Sequence, residues 1–235
     1  MDGSRGHPVV SGFQLILLPG LGADHRLLEP QRAAFPQLIV PPGIPPQKNE
    51  SLPHYAERMA ETLSPSRDAP LILGGVSFGG MLAYEMARHL KPDAVVLIAS
   101  CRSPRSLRPI YTPGRWLLPL IPTQTWSLVK LLAGPALRWK HRNSVAKREL
   151  LIAMLRDADS HFMHWTLQAI LNWTPTPLEG IPLHQIHGRR DPLIPARRVQ
   201  ADVIIPNGSH LINLTHADEV NGFIACLLKS SARVE

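Results

Sequence analysis

Three residue types that together make a hydroxyl nucleophilic occur along this chain in one order: Ser77, Asp191 and His210. A serine hydroxyl attacks a carbonyl only when a base takes its proton. An imidazole serves best as that base when a carboxylate fixes its tautomer and orientation. Ser77 stands in Gly75-Val76-Ser77-Phe78-Gly79. An apolar run at 70–76 leads into it and a helical pattern at 78–90 leaves it. Such a turn holds the serine in a strained conformation with its hydroxyl exposed. The residues two before and two after pass so close to neighbouring chain that side chains do not fit. The serine also begins a helix, where N–H groups favour developing negative charge. A glycine-rich turn with an inert serine would spell the same five residues. The strand before and the helix after are what a nucleophile elbow requires.

The partners should follow on loops after strands. Asp191 lies in His187-Gly188-Arg189-Arg190-Asp191-Pro192, after a strand expected at 183–187. It is the expected acid, against a reading as a turn or capping aspartate. His210 lies in Asn207-Gly208-Ser209-His210, after a strand expected at 203–205, and is the expected base. His216 is its rival but falls within the expected closing helix. His187 is expected to pack against the next loop. An oxyanion needs two preorganised N–H donors. The amide of Phe78 should be one. The other should come from Pro19-Gly20-Leu21-Gly22, through the amide of Leu21. His25, beside that loop, is a candidate to face the pocket.

These residues need a frame. Apolar runs at 13–18, 38–41, 70–76, 93–99, 183–187 and 203–206 read as strands. Helical spacing recurs at 26–35, where Asp24 is the expected N-cap, and at 51–63, 78–90 and 215–228. The alternation predicts an α/β fold with a mostly parallel sheet and helices on both faces. It breaks at 103–179, a tryptophan-rich helical stretch that reads as a lid inserted in a single domain spanning 1–235. Much of the proline, 24 residues in all, sits in turns and connections.

The chain of 235 residues is long enough for one substantial core. Its two cysteines, Cys101 and Cys226, and its charged N-terminus carry no sign of secretion, so a cytoplasmic location is the default. No apolar run is long enough to span a membrane. The net charge is +7, and in residues 101–150 the only acid is Glu149. That asymmetry could attract an anionic substrate, a phosphate-bearing acyl carrier or an anionic membrane, or it is a solvated basic surface. No nucleic-acid-binding motif accompanies it. No metal-ligand spacing and no phosphate-binding glycine loop is present, so neither a metal nor a cofactor is expected.

Taken together, Leu18-Pro19-Gly20-Leu21-Gly22, the Ser77 elbow with Gly80, His187-Gly188 with Asp191, and Gly208-Ser209-His210 resemble the α/β-hydrolase superfamily. The resemblance spans about 13–100 and 179–228. It implies a Ser77–His210–Asp191 triad and acyl transfer through an acyl-enzyme. Two departures stand out. Pro19 occupies a place where many members have histidine. The usual leading antiparallel hairpin looks missing, so a trimmed sheet of about six strands is expected.

The lid should decide the substrate. Trp126 and Trp165, with nearby leucines, suggest an apolar cavity, though the same residues would pack lid helices together. Residues 126–142 mix apolar and basic side chains and could lie on a membrane surface. The leading expectation is hydrolysis of a small-molecule carboxylic ester. One alternative is an acyl-thioester hydrolase, because residues 79–87 are similar to the helix after the nucleophile in type II thioesterases. Another is a binding member of the fold without turnover. Oligomeric state is not legible.

Overall fold

The computed structural model describes residues 12–66, 68–111, 113, 116, 120–122, 125 and 145–231. Among these, five parallel strands form one sheet in chain order: β1 (Gln14–Leu18), β2 (Leu71–Val76), β3 (Ala94–Ile98), β4 (Leu183–Gly188) and β5 (Val203–Ile205). About six strands were expected. The segment around residue 39 makes a single bridge to Ile16 rather than a strand. Ile39 still exchanges two backbone hydrogen bonds with β1, from Leu17 N–H (3.1 Å) and to Leu15 O (2.9 Å). Pro41 and Pro42 follow after Val40 and supply no N–H, so the ladder cannot extend.

Period-two alternation sorts the strand side chains between two cores. Ile16, Leu18, Leu71, Leu73, Val95 and Leu97 face one side. Helices α2 (Leu52–Glu61), α3 (Phe78–Leu90) and α5 (Ser160–Asn172) cover that side with Tyr55, Met81 and Trp165. Leu15, Leu17, Ile72, Val76, Val96 and Ile98 face the other. There Leu27 and Leu28 just ahead of α1 (Glu29–Ala34), and Val220, Ile224 and Leu228 of α6 (Ala217–Ser231), close the layer. Central strands buried on both faces explain the continuous apolar runs. The register β1–β2–β3 sets Leu18 opposite Gly75 and Val76 opposite Ile98, so the ends of neighbouring strands lie together.

Local chemistry sets the boundaries. Asp24 accepts a hydrogen bond from Arg26 N–H at 2.9 Å, and Ser51 caps α2. Lys91 ends α3 in a left-handed conformation. Helices α4 (Val145–Asp157) and α5 lie within the segment expected to be a lid. Two tryptophans tie α5 and its end to the core. Trp165 Nε1–H donates to Glu50 O at 2.9 Å, and Trp173 Nε1–H donates to buried Glu85 at 2.6 Å. Residues 126–142, the segment with a membrane-surface reading, lie outside the described residues. Among the described residues no helix is long and apolar enough to cross a membrane. Cys101 is buried and Cys226 exposed, and they are not joined.

Candidate active site

Ser77 stands between β2 and α3 as the N-cap of α3, with φ 54° and ψ −118°, a conformation that costs an ordinary residue about 1–3 kcal/mol. The glycines beside it explain how the turn survives. A Cβ on Gly75 would meet the Gly79 backbone and the Leu18 carbonyl oxygen. One on Gly79 would strike the Leu18 and Pro19 carbonyl oxygens. Ser77 N–H donates to Ile98 O at 2.9 Å, and the Ser100 hydroxyl donates to Ser77 O at 2.6 Å. The strain is thus held by neighbouring chain on both sides. Ser100 was not singled out from sequence; a hydroxyl directly after an apolar strand was its signal.

The ends of β2, β4 and β5 bring three distant residues together. The Ser77 hydroxyl lies 2.9 Å from His210 Nε2, and His210 Nδ1 lies 2.7 Å from Asp191 Oδ2. The carboxylate is an acceptor, so Nδ1 carries the hydrogen and Nε2 offers its lone pair to Ser77. The Asp191 side chain is fully buried and that of His210 is 14% exposed. Asp191 Oδ1 accepts from Leu193 N–H (2.8 Å) and Ile194 N–H (3.0 Å). Burial alone would push the Asp191 carboxyl up. Hydrogen bonds from His187 and His210, the charge of His210 when protonated and the Ile194 N–H outweigh burial and hold it well below 3.8.

His187 does more than pack. It is fully buried, with Nε2 2.8 Å from Ile194 O and 3.3 Å from Asp191 Oδ2. Both neighbours accept, so Nε2 bears the hydrogen. Nδ1 has no partner among the described residues. A histidine on a buried strand four residues before the acid was the sequence signal. His216 stands between a helical turn (Ile212–Thr215) and α6 rather than within a helix. Its Nδ1 lies 2.9 Å from the Thr215 hydroxyl.

Leu21 and Phe78 are the two residues whose amides were expected to receive an oxyanion. Phe78 is the first residue of α3, where helix geometry leaves the N–H without an internal acceptor. Leu21 and Ser77 line the same cavity. Among the described residues, neither amide has a hydrogen-bond acceptor.

That cavity, about 640 Å³, opens over Ser77 and His210. Its walls come from α4, α5 and the strand-end loops, with Met154, Leu167, Leu171, Leu193 and Leu211 among them. Ser77, His210 and Tyr111 supply its polar side chains among the described residues. A second cavity of about 900 Å³ shares Gly22, Ala23 and Met154 with it and is more polar, with Asp24, Gln47, Lys48 and His161. The three residues named as substrate contacts fare differently. Trp165 is 7% exposed, packs on Tyr55 with ring centroids 4.4 Å apart, and borders the second cavity rather than the one over Ser77. His25 is exposed and lines neither cavity. Trp126 lies outside the described residues. Among the described residues no cluster of His, Cys, Asp or Glu could hold a metal ion.

The sequence model of the alpha/beta hydrolase family matches residues 9–223. No curated protein matches the chain. Several solved structures share its fold at low identity. A thermophilic esterase from Thermogutta terrifontis, malate bound, is 19% identical with a TM-score of 0.72, over 93% of this chain and 90% of that one. An N-acyl homoserine lactonase mutant complexed with N-hexanoyl homoserine is 15% identical with a TM-score of 0.70, over 96% and 91%. ClbQ from the colibactin NRPS/PKS pathway is 16% identical with a TM-score of 0.62, over 96% and 100%.

Proposed function

This chain belongs to the alpha/beta hydrolase family, and from that membership we propose that it hydrolyses carboxylic esters through an acyl-enzyme on Ser77. The observation that carries the reading is the unbroken chain from the Ser77 hydroxyl through His210 to Asp191, at 2.9 and 2.7 Å. His210 Nε2 takes the Ser77 proton as Oγ attacks the ester carbonyl carbon. Asp191 keeps the imidazole in the required tautomer and stabilises the imidazolium that forms. The oxyanion of the tetrahedral intermediate sits between the Leu21 and Phe78 amides, whose N–H groups are free to receive it. Collapse expels the alcohol, which takes the proton from Nε2. Water then repeats the cycle on the acyl-enzyme and releases the acid.

The cavity over Ser77 supports an uncharged acyl group. Its aliphatic walls reward apolar burial, and no lysine, arginine or carboxylate among the described residues lines it. In this reading residues 103–179 act as the lid, with α4 and α5 as its inner wall. Lactones are cyclic esters and fall under the same chemistry.

The test is turnover of p-nitrophenyl esters of increasing acyl length by the protein and by Ser77→Ala. The expected result is Ser77-dependent release with a preference for uncharged chains. Equal turnover by Ser77→Ala would sink the acyl-enzyme. Acyl-CoA thioesters of matched chain length, run in parallel, decide between ester and thioester: faster thioester hydrolysis would reassign the substrate while keeping the mechanism. No turnover of either class would favour a binding protein.

A further inference from the structure

The loop that carries Asp191 has a second face. Sharing no lining residue with the cavity over Ser77, a recess of about 290 Å³ is lined by Arg108, Arg189, Arg190 and Arg197, with Asp191, Pro195 and Ala196. The four arginines come from three separate segments: the stretch after β3, the turn after β4, and the one-turn helix at Ala196–Arg198. All four are exposed. Among the described residues none of their guanidinium groups has a carboxylate partner. The recess holds one acid, and it is committed: buried Asp191 is occupied by His187, His210 and two backbone N–H groups.

Several arginines elsewhere among the described residues do have carboxylate partners. Arg26 lies against Asp24 and Asp157, Arg58 against Glu50, Arg88 against Glu85, and Arg156 against Asp157. Those pairings neutralise each cation locally. Around the recess the positive charges converge unneutralised, which costs mutual repulsion and raises the local potential. The platform beneath them is fixed by backbone hydrogen bonds. Arg189 N–H donates to Ile205 O (3.0 Å), Arg190 N–H to Gly208 O (2.8 Å) and Arg198 N–H to Pro195 O (2.8 Å). The Arg198 side chain ties the platform to the stretch after β3, donating to Arg105 O (2.9 Å) and Leu107 O (2.8 Å).

We propose that this arginine recess binds a phosphate-bearing anion. A guanidinium offers a planar fork of donors that matches phosphate oxygens, and several forks in one concavity suit a multiply charged group better than a single carboxylate. The location gives the site a relation to catalysis. Residues 191–195 separate the recess from the acyl cavity, with Pro192, Leu193 and Ile194 lining the latter. The phosphate therefore belongs either to a phosphorylated handle on the substrate itself or to a separate phosphorylated ligand. The binding claim is independent of the reading of Ser77; only the choice between these two sources uses it.

The experiment titrates inorganic pyrophosphate into the full chain by calorimetry at low ionic strength, with sodium chloride of equal ionic strength as control. Saturable one-site binding is expected. Arg190→Ala/Arg197→Ala should weaken it by about tenfold or more, because a hydrogen bond to a charged group is worth about 1.5–3 kcal/mol. Arg190→Lys/Arg197→Lys, which keeps the charge and removes the forks, should fall between. Both positions are exposed, so circular dichroism and Tm are expected to be unchanged in the variants. No binding beyond the chloride control, or equal binding by the alanine variant, would overturn the site.

The source is read from turnover of hexanoyl-CoA and p-nitrophenyl hexanoate with and without pyrophosphate. If the substrate carries the phosphate, pyrophosphate raises KM for the thioester and leaves the p-nitrophenyl ester unchanged. If the phosphate belongs to a separate ligand, the two substrates respond alike. Loss of all turnover while pyrophosphate still binds would count against the catalytic reading alone.

Discussion

His187 Nε2 stands 3.3 Å from Asp191 Oδ2, while the N–H groups of Leu193 and Ile194 hold the other carboxylate oxygen. The same His187 N–H reaches Ile194 O at 2.8 Å, so His187 holds both the acid and the loop that presents it. It touches no reacting atom in the proposed reaction and is a positioning residue. His187→Phe keeps a ring in the space and removes the donor. It should lower kcat about tenfold or more with KM little changed, whereas His187→Gln, which retains an N–H donor, should recover much of the loss. In an Asp191→Asn background the Phe substitution should have almost no further effect on kcat. An equal loss in both backgrounds would make His187 a general packing residue.

The ionisation of Asp191 links the site to stability. Its folded pKa is depressed below 3.8. The ionised carboxylate therefore stabilises the fold fully above that value, and the contribution is lost as pH falls through the folded pKa. Melting temperatures of the protein and of Asp191→Asn, followed from pH 7 downward, should begin to converge below about pH 4. A gap that stays constant or widens on acidification would show that the carboxylate is not stabilised by its ionised contacts.

Gly79 is a point where the elbow admits no side chain. Its added Cβ would meet the Leu18 and Pro19 carbonyl oxygens, and neither backbone can retreat without moving the loop that carries Leu21. Gly79→Ala should cost about 1–3 kcal/mol in urea unfolding and reduce turnover more than stability accounts for, because it displaces Leu21. Gly222 is the control, since a Cβ added there would meet nothing within 4 Å. Gly222→Ala, inside α6, should be neutral to stabilising, by up to about 1 kcal/mol. Equal effects at both positions would refute the close-approach account.

The acyl cavity makes a length prediction. Leu171 of α5 lines the space over Ser77. Leu171→Trp should shorten it, so that kcat/KM for long-chain esters falls several-fold while acetate is nearly unaffected. Each methylene denied burial is worth about 0.8 kcal/mol. A uniform fall across chain lengths would place the acyl group elsewhere.

Much of this was legible in sequence because short-range physics dictated it. The elbow could be read because Gly75 and Gly79 mark where two backbones meet, and because a buried strand and a helix bracket Ser77. Asp191 and His210 could be paired with it because parallel strands end on one edge of the sheet, whichever residues lie between. The fate of the tryptophans was not legible. Trp165 has the composition of a substrate contact, but its indole N–H found Glu50 O and its ring found Tyr55. The role of His187 is not legible in sequence, since nothing local says that a strand histidine will meet an acid carried on the next loop. The sixth strand shrank to one bridge because two prolines follow so soon after Ile39. The arginine recess was not legible because Arg108 lies far ahead of Arg189, Arg190 and Arg197 in the chain and meets them only through the fold.

The central claim is that His210 and Asp191 make the Ser77 hydroxyl a nucleophile. Its most direct test is reaction with a fluorophosphonate, followed by intact-mass and peptide mass spectrometry of the protein, Ser77→Ala and His210→Ala. One stoichiometric adduct is expected, mapped to Ser77, absent from Ser77→Ala and formed far more slowly in His210→Ala. An adduct on another residue, or equal labelling of Ser77 without His210, would contradict it.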